Sequence, residues 1–114
     1  MILATSETVP GYEIAEVHGI ARGNVIRAKH LGTDFIAALR NVVGGEVREY
    51  TKLMAEAREQ AKDRMVAHAE STGANAIICV RFSTSMVMAG AAEILAYGTA
   101  VTLKPAGSAD VNAL

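Results

Sequence analysis

A chain of 114 residues with 11 basic and 12 acidic side chains, formal net charge −1, has no overall positive field, which argues against nucleic acid or an anionic membrane as partner. Its hydrophobic share is 51%, with two Phe, three Tyr and no Trp, so one domain must build its core from Ala, Val, Ile, Leu and Met. The single cysteine, Cys79, excludes an internal disulfide and suits a reducing cytosol. The N-terminal stretch is apolar for only four residues and lacks basic residues, unlike a signal peptide, and no apolar run approaches the roughly 18 residues of a membrane span. The expectation is a soluble, cytoplasmic protein. A small chain this apolar also tends to hide surface against another subunit, so the partner expected is a second copy of itself.

Ile2 to Thr5 reads as a short first strand. Val9-Pro10-Gly11 supplies a fixed φ followed by a positive one, the requirement of a type II turn. Tyr12 to about Ala21 follows as a strand, with Tyr12, Ile14, Glu16, His18 and Ile20 on one face, and it resumes through Asn24, Val25 and Ile26. Gly19 and Gly23 suggest bulges or a bend.

Thr33 is suited to cap a helix, with Asp34 favourably placed on its dipole. Phe35, Ile36, Leu39, Val42 and Val43 give that helix an apolar face. Gly44-Gly45 closes it, and a long helix begins almost at once, from Val47 to about Thr72. In this second helix Tyr50, Met54, Ala57, Ala61, Met65 and Ala69 recur at steps of three and four, a single stripe. Half of that stripe is Ala, so another backbone can come close. Lys52, Glu56, Arg58, Glu59, Lys62 and Asp63 form the solvent face, with Lys52–Glu56 and Glu59–Lys62 at pairing distance.

Gly73 ends the helix. Asn75 to Ser83 alternates as a strand, with Ala76, Ile78, Val80 and Phe82 on one face and Ile77, Cys79, Arg81 and Ser83 on the other. Ala89-Gly90 marks a turn. Glu93 to Leu103 is the last strand, and its small residues Ala96, Gly98 and Ala100 would meet the Ala stripe. The order strand, strand, helix, helix, strand, strand predicts a two-layer α+β fold, an antiparallel sheet packed on a long helix and a preceding short one. The opposite sheet face, with Ile77, Cys79, Leu95, Tyr97 and Val101, is also apolar and would need a cover. Residues 1–104 form the domain, and 105–114 read as a disordered tail.

Chemistry is harder to find. His18, His30, His68, Cys79 and the Met residues could be soft metal ligands, but none forms a CxxC, HxH or HExxH pattern. His18 and Cys79 lie on strands that a sheet could bring together, two donors where zinc requires three or four. Met86 and Met88 would suit Cu(I). A thiol inside an apolar strand is a poor nucleophile, no serine has a G-x-S-x-G setting, and no carboxylates pair, so no enzyme is expected. Gly44-Gly45 lacks the Lys-Ser/Thr of a phosphate loop. Arg22, Arg27, Lys29 and His30 make a basic cluster that, repeated around a ring, would attract an anion.

Several stretches together resemble the YbjQ family, a set of small uncharacterised bacterial and archaeal proteins sometimes labelled heavy-metal-binding. They are Gly19-x-Ala21-x-Gly23, Asp34-Phe35-Ile36-Ala37-Ala38-x-Arg40-Asn41-x-Val43-Gly44-Gly45, Tyr50, Ala57-Arg58-Glu59-x-Ala61, Gly73-Ala74-Asn75-Ala76-Ile77 and Gly98-Thr99-Ala100-Val101. The resemblance implies a dodecin-like subunit assembled as a homopentameric ring. It singles out Asp34, Arg40, Gly44, Gly45 and Tyr50 as motif residues with structural or interface roles, and it brings no catalytic residue and no cofactor. Many relatives carry Arg after the glycine pair, where this chain has Glu46.

Three functions remain in view. One is a non-enzymatic ring-forming assembly or binding module. Another is a heavy-metal-binding protein whose ligands, His18, Cys79 or Met residues, are shared between subunits. The third is an anion or small-molecule binder at subunit interfaces near Arg22, Arg27 and Lys29.

Overall fold

The computed structural model describes residues 1–28 and 44–107, with side chains for 1–27 and 51–107. Its elements are β1 (Ile2–Leu3), β2 (Tyr12–Ala28), α1 (Gly44–Ser71), β3 (Ala76–Met88) and β4 (Ala91–Pro105). The chain is α+β: a four-stranded sheet in the order β1-β3-β4-β2 packs on one long helix. The helix expected over Thr33–Val43, with Asp34 and Arg40, lies outside the described residues, as does the tail beyond Gly107.

The sheet is mixed rather than antiparallel. β2 and β3 both run antiparallel to β4, but β1 pairs parallel with β3, Ile2 opposite Ala76 and Leu3 opposite Ile77. The parallel pair arises because the chain passes through the long β2 and α1 before β3 comes back beside β1, whereas β3 and β4 are joined only by Ala89 and Gly90, a tight turn with Gly90 at φ 78°. The turn before β2 is as expected: the Tyr12 N–H donates to the Val9 carbonyl at 3.0 Å, with Gly11 at φ 84°.

The helix ends as its sequence requires. Gly73 stands at φ 87°, its N–H donating to the Glu70 carbonyl at 3.1 Å, while the Ala74 N–H reaches the Ala69 carbonyl at 3.3 Å. This is the paired closure of a Schellman motif. Ala74 and Ala69 are both buried in the core, the apolar contact that accompanies it.

The Ala stripe packs inside the subunit. Met54, Ala57, Ala61, Met65 and Ala69 are buried against Ala21 and Val25 of β2 and Ile94, Ala96 and Ala100 of β4. Gly23 shows how close the layers come: a Cβ there would lie 2.3 Å from the Ala61 carbonyl oxygen and 2.3 Å from the Met65 nitrogen. Gly23 is thus neither a bulge nor a bend but the place where helix backbone meets strand backbone. The bulges of β2 fall between Ile14 and Glu16 and between Val17 and Gly19.

The face assignment for β3 requires correction. Ile77 is opposite Ala100 and fully buried under the helix, not on the outer face. The strict alternation fails at Cys79, which adopts φ 55° beside a register shift between Ile78 and Arg81. The extra residue brings both Ile77 and Val80 to the helix side. Val101 is not bare either. It joins Ala76, Ile78 and Leu103 in a second small core closed by Ile2, Val9 and Cys79. The N-terminal segment thus covers one end of the outer face. Each large side chain buried in these cores, Met65, Ile77, Ile94 and Val101 foremost, contributes about 1.5–3 kcal/mol.

Candidate functional site

The basic cluster is only partly described, because Lys29 and His30 lie outside the described residues. Arg22 is exposed on β2. Arg27 turns toward α1, where its Nη2 donates to Gln60 Oε1 and its buried Nε has no hydrogen-bond partner among the described residues. The cleft beside it, about 420 Å³, is lined by Arg27, Ala55, Glu56, Glu59, Gln60 and Asp63. Three carboxylates against one guanidinium oppose an anion at this place.

The two metal candidates are not brought together within the chain. His18 sits on β2 with its Nε2 2.7 Å from Thr102 Oγ1 and 3.9 Å from a Glu16 carboxylate oxygen. Cys79 sits on β3, its thiol 3.8 Å from the Ser6 carbonyl oxygen. β4 runs between those two strands. Cys79 is half-buried, packed against the second small core. Among the described residues no three His, Cys, Asp or Glu side chains gather closely enough to hold a metal ion. Met86 and Met88 are exposed near the β3–β4 turn, 57% and 68%.

Of the motif residues, Gly44 and Gly45 form the first turn of α1 and Tyr50 lies in its second. The clearest task falls to a residue outside those five, in the Gly73–Ile77 stretch. Asn75 donates from Nδ2 to the Leu103 carbonyl at 2.9 Å and accepts from the Leu103 N–H at Oδ1 at 2.7 Å. Its side-chain amide thereby takes the part of a strand residue just before β3 begins.

Sequence reasoning also missed a row of contacts between α1 and the outer edge of β2. Gln60, Arg64 and His68 lie four residues apart on the helix and face one way. Gln60 meets Arg27, Arg64 Nη1 donates to the Asn24 carbonyl at 2.7 Å, and His68 Nδ1 accepts the Arg22 N–H at 3.1 Å. On the solvent face of α1, Glu59 and Lys62 make the expected ion pair at 2.7 Å. The Glu59 hydrogen bond, then its charge, hold the Lys62 ammonium pKa above the ordinary value.

A family model described as "Putative heavy-metal-binding", that of the YbjQ proteins, matches residues 1–104. The chain belongs to the YbjQ family. Its relatives include a UPF0145 protein of Methanosarcina acetivorans, 61% identical over 103 residues, covering 90% of this chain and 97% of the relative. Another, from Thermococcus kodakarensis, is 57% identical over 104 residues, 91% and 92% of the two chains. A solved structure from Pediococcus pentosaceus, a protein of unknown function of the DUF74 family, superposes with a TM-score of 0.52 at 18% identity, over 91% of this chain and 98% of that one. That likeness shows a shared fold. No helix among the described residues of this YbjQ protein is long and apolar enough to cross a membrane.

Proposed function

We propose that this YbjQ protein is a non-enzymatic, cytoplasmic subunit of a homo-oligomeric ring, a pentamer by family resemblance, that acts as an assembly or binding module. The observation that carries the reading is the apolar surface the subunit leaves uncovered. Val17, Ile20 and Ile26 on β2 are 62%, 73% and 57% exposed, and Phe82, Met86, Val87 and Met88 on β3 lie between 46% and 68%. A chain so short of aromatic anchors would not leave these side chains in water without a partner. Light scattering coupled to size exclusion tests it. Five subunits of 12.0 kDa give about 60 kDa, and a monomer at micromolar concentration overturns the proposal.

A second reading, heavy-metal binding, is favoured by the family's description. Within one subunit His18 and Cys79 are held apart by β4, so the ligands would have to meet between copies, with Cys79 supplying the soft donor. Metal analysis of protein purified without chelators, alongside Cys79→Ser, tests this reading. Bound soft metal lost in the variant supports it, and metal-free protein that takes up none on titration rules it out.

A further inference from the structure

β4 lies between β3 and β2 in the sheet. Its residues Ile94, Ala96 and Ala100 pack under α1, so Leu95, Tyr97 and Thr99 face the other way. Tyr97 stands opposite Arg22 of β2 on one side and Arg81 of β3 on the other. Directly opposed residues share a face, with Cβ atoms about 5 Å apart. Arg22, Tyr97 and Arg81 therefore form one row across three strands, on the side away from the helix, and all three are exposed. A strand spacing of about 4.8 Å puts the two arginine stems roughly 10 Å apart. Both guanidinium groups can reach the space above the tyrosine ring.

The two charges of this row are not neutralised. Lys104 has Glu13 at 3.1 Å, Lys62 has Glu59 at 2.7 Å, and Arg27 lies among carboxylates of α1. Arg22's guanidinium and the Tyr97 hydroxyl, by contrast, have no hydrogen-bond or ionic partner among the described residues. Arg81 is positioned by its Nη1, which donates to the Thr5 and Val80 carbonyls at 2.8 and 2.9 Å, and its Nε and Nη2 have no acceptor among the described residues. The carboxylate that β4 carries on this face is Glu93, about 13 Å along the strand from Tyr97, more than the Debye length of about 8 Å in physiological salt. It is already met by Asn24 Nδ2 at 3.4 Å.

We propose that the Arg22–Tyr97–Arg81 row binds a small aromatic phosphate monoester. A phosphate monoester carries about −1.5 to −2 charge at neutral pH, a match for two guanidinium groups, whereas a carboxylate would leave one of them unmet. Each guanidinium offers a planar fork that fits two phosphate oxygens. Tyr97, with Leu95 beside it on the same face, gives the aromatic ring an apolar surface on which to stack. The site is built from residues of one subunit, so it does not depend on the subunit number. Ile20 and Ile26 share its face, so the test is made on the protein in its native assembly.

Titration calorimetry of the full chain at about pH 7.5, where the ester is mostly dianionic, compares phenyl phosphate, inorganic phosphate, benzoate and phenol. Phenyl phosphate should bind about tenfold more tightly than benzoate and more tightly than inorganic phosphate, and phenol should not bind. Arg22 is the residue to replace, because Arg81 also holds the N-terminal segment through Thr5. Arg22→Ala should weaken phenyl phosphate by about tenfold. Arg27→Ala, the same loss of charge on the helix side, should leave its affinity unchanged. Tyr97→Leu should remove the advantage of phenyl phosphate over inorganic phosphate. Phenyl phosphate that binds no better than phenol overturns the proposal, and so does an equal loss in the two arginine variants. Equal affinity for phenyl and inorganic phosphate in the unaltered protein overturns it too, since the ring then takes no part. Light scattering on the same samples keeps this result apart from self-association. An oligomer that does not bind overturns this proposal alone, and a monomer that binds overturns the assembly alone.

Discussion

Asn75 and Leu103 are bonded to each other twice, side-chain amide to main-chain amide, where β3 leaves the helix and β4 approaches its end. The Asn75 N–H also donates to the Val101 carbonyl at 3.1 Å. One residue thus fastens the start of β3 to two successive outward points of β4. Replacing it by Ala leaves the Leu103 N–H and carbonyl without partners in a half-buried place, at a cost of about 1–3 kcal/mol. Asn75→Asp keeps the acceptor but sets a carboxylate oxygen against the Leu103 carbonyl, two acceptors face to face, so it should cost at least as much as Ala. Urea denaturation of the two variants, with unchanged slope, checks the order.

Gly23 should be harder to replace than Gly11, Gly19, Gly73, Gly98 or Gly107. Its Cβ would strike main-chain atoms of Ala61 and Met65 at 2.3 Å, and backbone cannot rotate aside as a side chain does. Gly23→Ala should cost at or beyond the upper end of the usual overpacking range of about 1–3 kcal/mol. Gly19→Ala is the control. Nothing lies within 4 Å of its Cβ, but φ is 115°, so the loss is one of backbone strain, about 1–3 kcal/mol. Thermal melts give the two losses, and amide hydrogen exchange distinguishes the variants in a second way. The Gly23 variant should also lose protection of amides in the middle of α1, while the Gly19 variant should leave α1 unaffected.

Ala61 lies across that same contact and is fully buried. Ala61→Leu forces helix and sheet apart and should lower stability by about 1–3 kcal/mol. Its effect should fall on folding and not on subunit number. Measured at equal fraction folded, the oligomer mass should match wild type. A normally folded variant that falls to monomers would mean that the stripe faces a neighbouring subunit instead.

How much of this was readable in the sequence differs by element. The Ala stripe and the even-numbered small residues of β4 were legible because period alone specifies a face, and both partners are small at matching places. The turn at Pro10-Gly11 and the stop at Gly73 were legible because few residues tolerate those φ values. β3 was misread because one extra residue at Cys79 inverts the face of everything before it, and nothing in a Val/Ile/Cys run marks a bulge. The parallel placement of β1 depends on which strands become neighbours after α1 has crossed, a long-range choice that local pattern does not encode. The Gln60, Arg64 and His68 row carries no sequence signature, since its partners are backbone groups and side chains of β2. Of the candidate site, the residue types were visible, but their separation by β4 follows only from the strand order.

The Lys62–Glu59 pair gives a pH signature with a definite sign. Glu59 raises the Lys62 pKa above its ordinary 10.5 in the folded protein. The protonated lysine is therefore favoured by folding. That contribution is fully present below the unfolded value and disappears as pH rises through the folded one. Glu59→Gln should bring the Lys62 titration, followed by NMR at its Cε, back down toward 10.5. The stability gap between wild type and Glu59→Gln should be constant at neutral pH and close above the Lys62 midpoint. The pair is exposed to solvent, so salt should shrink the gap.

Cys79 is the one non-glycine residue at positive φ among the described residues, at 55°. An L-residue held there costs about 1 kcal/mol or more unless its side chain is short and polar or absent. The bulge it makes is required, because it returns Val80 to the helix-side core after Ile77. Substitutions at this position should therefore follow backbone preference before hydrophobicity. Cys79→Gly and Cys79→Asn should lie within about 1 kcal/mol of wild type, with Gly offsetting the lost packing of the thiol by relief of strain. Cys79→Val is the more conservative change for an ordinary strand, yet it should be the worst of the three, losing about 1–3 kcal/mol, because a β-branched residue resists this conformation most strongly. Denaturant titrations of the three variants give the order directly. If Val proved the most stable, the residue would be held in extended conformation, and the face inversion assigned to it would have to arise elsewhere in β3.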